Sequence, residues 1–150
     1  MVEAEARLGE FLAKFTPEIE GRATAIIAAM RARLPGAVMP VYDNYNALAV
    51  AFGASDRVRD VVFSIAVYPR WVSLFFARGV DLDDPDGVLK GEGNLVRHIV
   101  LAGPEALDDP AVADLMARAL AQAAPPIDPA GRGGVVIKSV SAKQRPRRPA

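Results

Sequence analysis

Residues 60–78, "DVVFSIAVYPRWVSLFFAR", decide the fold. Two runs rich in β-branched and aromatic residues, 60–68 and 71–78, are separated only by Pro69-Arg70, which reads as two strands joined by a tight connection. Nearly every position in both runs is apolar, whereas a strand with one wet face would alternate. Both faces of the sheet are therefore expected to be covered. Helices can cover one face. A second subunit, a C-terminal strand or a folded-over loop are the candidates for the other.

Working outward, strand-like runs recur at 37–42, 46–53 and 94–101, with connections that are polar or rich in Pro and Gly. Upstream the period is helical. Leu8, Phe11, Leu12 and Phe15 form one apolar stripe, and Thr16-Pro17 then opens a second helix running to about Leu34, before Pro35-Gly36. Downstream, Asp109-Pro110 starts a third helix that buries Val112, Leu115, Met116 and Leu120. A linker, "PPIDPAGRGG", leads to a sixth candidate strand, "VVIKSV", and the last residues, "SAKQRPRRPA", are expected to fray. The fold class is α+β: an antiparallel sheet of about five to six strands, with the N-terminal helices and a C-terminal helix packed on one face. Residues 1–128 form the α+β domain, and 129–150 a C-terminal strand and basic tail.

A chain of 150 residues fits one domain, able to bury roughly 70% of its unfolded surface. It has no cysteine, which excludes disulfides, thiolate metal sites and thiol nucleophiles. The start, "MVEAEARLGEF", is acidic and amphipathic and does not read as a signal peptide. A cytoplasmic location without a membrane partner is expected. Net charge is zero, yet all six basic residues after Asp128 stand without an acidic one, so an acidic body carries a basic tail. A solvated solubilising tail is the first reading of that segment, an oligomer contact the second and nucleic acid the third, since no nucleic-acid module is recognisable.

The element order, with "MPVYDNYNALAVAFG", "YPRWVSLFF", "DPDGVLKGEGNLVRHIVL" and "IKSVSAKQRPRRP", resembles the YdhG-like family, a domain-of-unknown-function family of small bacterial proteins. The resemblance runs from about Leu8 to the end. It implies a compact frataxin-like arrangement of helices and sheet, and part of that family is described as iron chaperones by analogy with frataxin. Iron binding in frataxin-type proteins is attributed to an acidic ridge on the first helix and adjoining strand. Here Glu3, Glu5, Glu10, Glu18 and Glu20 are interleaved with Arg7, Lys14 and Arg22. No metal ligands and no cofactor are assigned.

The aromatic stretches "YDNYN" and "YPRW" mark the leading site. Tyr42, Tyr45, Tyr68 and Trp71 offer flat apolar faces with polar tips, Asn44 and Asn46 offer directional hydrogen bonds and Asp43 a charge. The competing reading is turn chemistry with aromatics packing the sheet ends. Arg97 and His98 are strand neighbours, so they leave on opposite faces. Arg97 either points to the pocket or pairs with a carboxylate such as Asp43, and His98 reads as a hydrogen-bonded core or interface residue. Asp81, Asp83 and Glu92 mimic calcium-loop spacing, but Pro85 and Asp86 stand where a ligand and a glycine are needed. "KGEGN" reads as a glycine-eased strand entry, with an anion-binding corner at Lys90 as the alternative. No catalytic residues are assigned, because no serine elbow or marked base is present. The expected function is a non-enzymatic binding protein with a small-molecule pocket at Tyr42, Asp43, Asn44, Tyr68, Trp71, Arg97 and His98, with homodimerisation as a candidate state. The alternatives are a frataxin-type metal chaperone and an enzyme acting on a small anionic substrate.

Overall fold

The computed structural model describes residues 2–149. Two helices come first, α1 (Val2–Ala13) and α2 (Pro17–Arg33). Thr16 caps α2 by accepting from the Ile19 amide at 3.3 Å, and Pro17 sits at the first helical position, where no intrahelical donor is needed. Then follow β1 (Val38–Asp43), β2 (Leu48–Gly53), β3 (Val61–Val67), β4 (Val72–Phe76) and β5 (Arg97–Leu101). The chain closes with α3 (Pro110–Gln122), capped by the Asp109 carboxylate, and β6 (Gly134–Val140). Among the described residues no helix is long and apolar enough to cross a membrane.

The six strands form one sheet in the order β5-β4-β3-β2-β1-β6. Every pairing is antiparallel except β1 with β6, which is parallel. The sheet is therefore mixed rather than purely antiparallel. The cause is connectivity: β6 reaches β1 only after the rest of the domain has intervened, and so long a connection allows a strand to return in the same direction. β6 extends the sheet edge and does not cover a face.

Alternate strand residues build the core. Met39, Val41, Leu48, Val50, Phe52, Phe63, Ile65, Val67, Val72, Leu74 and Phe76 join one buried cluster with Leu8, Phe11 and Leu12 of α1, Ile19, Ile26 and Met30 of α2, and Val112, Leu115 and Met116 of α3. Phe63 and Phe76 meet edge to face, 5.5 Å between centroids, a favoured aromatic geometry. All three helices thus serve the face that carries the large side chains.

The tail does not fray. The Ser141 amide donates to the Asp43 carbonyl at 2.8 Å and the Arg145 amide to the Tyr45 carbonyl at 2.9 Å. Arg147 is buried: its Nη2 donates to Asp43 Oδ1 at 2.9 Å and to the Asn44 carbonyl at 2.6 Å, and its guanidinium lies 5.7 Å from the Phe15 ring centroid. Lys14 completes the pair set on Asp43 at 3.0 Å. The physical reason is that a carboxylate buried at the end of β1 needs cationic partners, and the tail supplies one.

Candidate functional site

The face of the sheet turned away from the helices carries a trough. Cross-strand register lays down two rows on it. One runs Tyr42, Ala49, Ala66, Ser73, Val100; the other runs Ala51, Ser64, Phe75, His98. In β2 and β3 the small residues Ala49, Ala51, Ser64 and Ala66 alternate with the large core residues of the opposite face. The floor is therefore low in the middle, with Tyr42 rising on one side and Phe75 on the other. The resulting concavity measures about 830 Å³, within the range of roughly 300–1,000 Å³ usual for small-ligand sites.

The trough's walls are apolar and its ends are polar. Tyr42, Asn44, Tyr45, Asn46 and Tyr68 line one end, and Arg59 and Arg78 the other. Ala51 and Ala66 on the floor are only 2% and 5% exposed. The Tyr42 hydroxyl is buried without a hydrogen-bond partner among the described residues. Burial pushes the Tyr68 phenol above its ordinary pKa. Four of the exposed large apolar side chains, Tyr45, Val58, Leu95 and Val96, lie on the lining of this one concavity.

Local structure explains why Arg59 reaches the site. The β2–β3 register shifts at Gly53, which faces Val61. A Cβ at Gly53 would lie inside contact distance of the Asp60 carbonyl, so only glycine permits this approach. The Ser55 hydroxyl ties back the Asp60 carboxylate at 2.6 Å. The 3-10 turn Val58–Asp60 then presents Val58 and Arg59 at the rim. Arg59 makes no ion pair among the described residues, whereas Arg78 donates to Asp81 at 2.8 Å. Both arginines also line an adjoining cavity of about 370 Å³ under α3.

Of the residues singled out from the sequence, the fold brings Tyr42, Asn44 and Tyr68 together in the trough. Trp71 stands just outside it, stacked on Tyr68 with 4.6 Å between ring centroids. These two aromatics, with Asn46, Arg70, Arg145 and Arg148, line a separate cleft of about 600 Å³. His98 is on the trough's face of the sheet, its ring stacked on Phe75 at 5.1 Å. Asp43 and Arg97 are on the other face. Asp43 is fully buried by Lys14 and the tail. Arg97 Nη1 donates to the Gly93 and Val96 carbonyls at 2.6 and 2.8 Å, so it fastens the loop entering β5. The expected Arg97–Asp43 pair does not form.

The two loop motifs have structural employment. In the acidic loop the Asp84 carboxylate accepts from the Val88 and Leu89 amides, both at 3.0 Å, while Asp81 and Asp83 face Arg78 and Arg118. Among the described residues no three His, Asp or Glu side chains converge as a metal site. In "KGEGN", Lys90 and His98 exchange backbone hydrogen bonds at 2.8 and 2.9 Å, and Gly91 turns the chain at φ 117°, a region open to glycine. Neither arginine at the trough's end carries a motif that would mark it in the sequence. The alternation of large and small apolar residues along β2 and β3 was the available signal for the floor. No family model matches this chain, and neither the curated proteins nor the solved structures contain a significant match to it.

Proposed function

We propose that the protein is a non-enzymatic binding protein whose helix-free sheet face holds a small ligand with a flat apolar body and one anionic group. The observation that carries this reading is the trough itself. Four small floor positions, paired as Ala49 with Ala66 and Ala51 with Ser64, hollow out a face at whose rim Arg59 makes no ion pair among the described residues. Apolar walls supply the driving force of desolvation, at roughly 25 cal/mol per Å² buried, and a guanidinium selects carboxylate or sulfonate by its forked donors. Among the described residues lining the trough there is no carboxylate, and His98, on the same face, is stacked on Phe75 outside the lining, so binding is favoured over turnover. Membership of the YdhG-like family and a cytoplasmic setting belong to this same proposal; among the described residues no convergent donor set stands behind the frataxin-type metal reading.

A second reading concerns the mouth. Tyr45, Val58, Leu95 and Val96 ring the opening with exposed apolar surface, and a second copy of the chain placed face to face would cover it. Light scattering distinguishes the two: a monomer gives 15.9 kDa and the closed pair twice that mass.

The test is a thermal-shift series of aromatic and aliphatic carboxylates against amines of the same hydrocarbon body. A ligand at 100 times its dissociation constant stabilises by about 2.7 kcal/mol. Acids are expected to raise the melting temperature and amines to leave it unchanged. Ala49→Leu, which fills the floor, is expected to abolish the shift while keeping its own cooperative melt. An acid-induced shift that persists undiminished in Ala49→Leu would move the site elsewhere.

A further inference from the structure

The cleft beside the trough is built from two walls of different origin. One is the tip of the β3–β4 hairpin, where Tyr68 and Trp71 stack with their rings only 18° from parallel and Arg70 projects between them in sequence. Trp71 is 41% exposed, so one indole face is packed on Tyr68 while the ring stays open to solvent. The other wall is the tail, which brings Arg145 and Arg148. All three arginines are exposed, and among the described residues none makes an ion pair with a carboxylate. Among the described residues no acidic side chain lines the cleft.

From these features we infer that the cleft is a nucleotide-binding site: a nucleobase stacks on Trp71 and its phosphate is held by Arg70, Arg145 and Arg148. Charge complementarity argues for the phosphate. Three arginines line this one cleft without a carboxylate partner among the described residues. The Arg145 guanidinium lies 5.6 Å from the Tyr45 ring centroid and Arg148 Nε is held by the Lys14 carbonyl, and their remaining N–H donors, with those of Arg70, suit a phosphate. The open indole argues for the base, because stacking on an aromatic platform needs a flat π-surface that an acidic peptide does not bring. Asn46, on the same lining, adds a donor and an acceptor for a base edge. The cleft's volume of about 600 Å³ suits a ligand of this size.

The tail wall is fixed before any ligand arrives. Arg147 points inward to Asp43, the Arg145 amide is bonded to Tyr45, and Arg148 Nε donates to the Lys14 carbonyl at 3.2 Å. A merely solubilising tail would have no use for such anchoring. A binding wall does, because ordering its arginines in advance lowers the entropy lost on association. The same chemistry is offered by a free nucleotide and by a single strand of nucleic acid, and the two are separable by experiment.

Trp71 is the chain's single tryptophan, so its emission reports this cleft alone. The full-length protein is titrated with uridine monophosphate in one arm and with an eight-residue oligothymidylate in the other. Saturable quenching in either arm is expected. Quenching by the mononucleotide identifies a free-nucleotide site; quenching by the oligonucleotide alone identifies a single-strand site. Affinity is expected to fall with salt, with a log–log slope of about −2 for the three arginines on a single strand. Arg145→Ala with Arg148→Ala is expected to weaken binding at least tenfold and make that slope shallower by about 1.4. Arg70→Ala, on the hairpin wall, is the independent second variant and is expected to weaken binding without touching the tail. Absence of saturable quenching in both arms overturns the inference. So does binding that is indifferent to salt, or that survives unchanged in both the tail variant and Arg70→Ala.

Discussion

Asp43 and Arg147, 104 residues apart, form a buried ion pair at 2.9 Å with 1% and 3% of their side chains exposed. The pair closes the C-terminal segment onto the end of β1 and so determines where the tail arginines stand. Removing one member of a buried pair strands the other charge, which costs more than the pair contributes. Arg147 Nε has no partner among the described residues, so the arrangement is not optimised for stability alone. It specifies the position of the tail.

Arg147→Ala is therefore expected to destabilise the fold by about 3 kcal/mol, the low end of the range for a broken buried pair, because Lys14 remains on Asp43. Arg148→Ala, exposed and bonded only to a backbone carbonyl, is expected to stay within about 0.5 kcal/mol of the parent. Urea unfolding midpoints at constant slope measure both. Equal losses in the two variants would contradict the anchor.

The same pair sets the acid limit of stability. Burial pushes the Asp43 carboxyl up, but the Gln144 amide, Arg147 and Lys14 outweigh it and hold the group below its ordinary value. An unfolded aspartate titrates near about 3.9. The stabilisation is thus complete above about pH 4 and is lost as pH falls through the lower folded-state value. Unfolding midpoints between pH 6 and pH 2 should fall steeply in the wild type and less steeply in Asp43→Asn, starting from a lower plateau. Parallel profiles would remove Asp43 from the account.

Arg97 is expected to act on a loop and not on the trough. With its donors to Gly93 and Val96 gone, Arg97→Ala should speed amide exchange in residues 90–96 and cost about 1 kcal/mol of stability. Exchange confined to baseline, together with loss of trough binding, would give Arg97 the ligand role that its position on the opposite face denies it.

The elements were legible in the sequence because each is announced locally. Thr16-Pro17 and Asp109-Pro110 start their helices at the stated caps, and the Pro69-Arg70 break separates β3 from β4. Long-range choices were not. The partner of Asp43 lies in a tail whose prolines and arginines read as solvent-exposed, since pairings between distant residues leave no mark on either segment. The parallel β6 was hidden for the same reason. The apolar runs at 60–68 and 71–78 suggested that both faces are covered, because a binary apolar-or-polar pattern counts Ala66 and Ile65 alike. Volume separates them: Ile65 packs the core, and Ala66 leaves room. Arg59 was missed because its placement depends on the register shift at Gly53.

The most direct measurement of the central claim is a titration of the native protein with anilinonaphthalene sulfonate, a flat apolar body bearing one anion. Wild type, Ala49→Leu and Arg59→Ala are compared at neutral pH, with near-ultraviolet dichroism confirming that each is folded. The account predicts one saturable site in the wild type, its loss in Ala49→Leu, and a dissociation constant raised about tenfold in Arg59→Ala, equivalent to about 1.4 kcal/mol. No saturable binding to the wild type, or three superimposable titrations, would contradict a ligand site on the open face of the sheet.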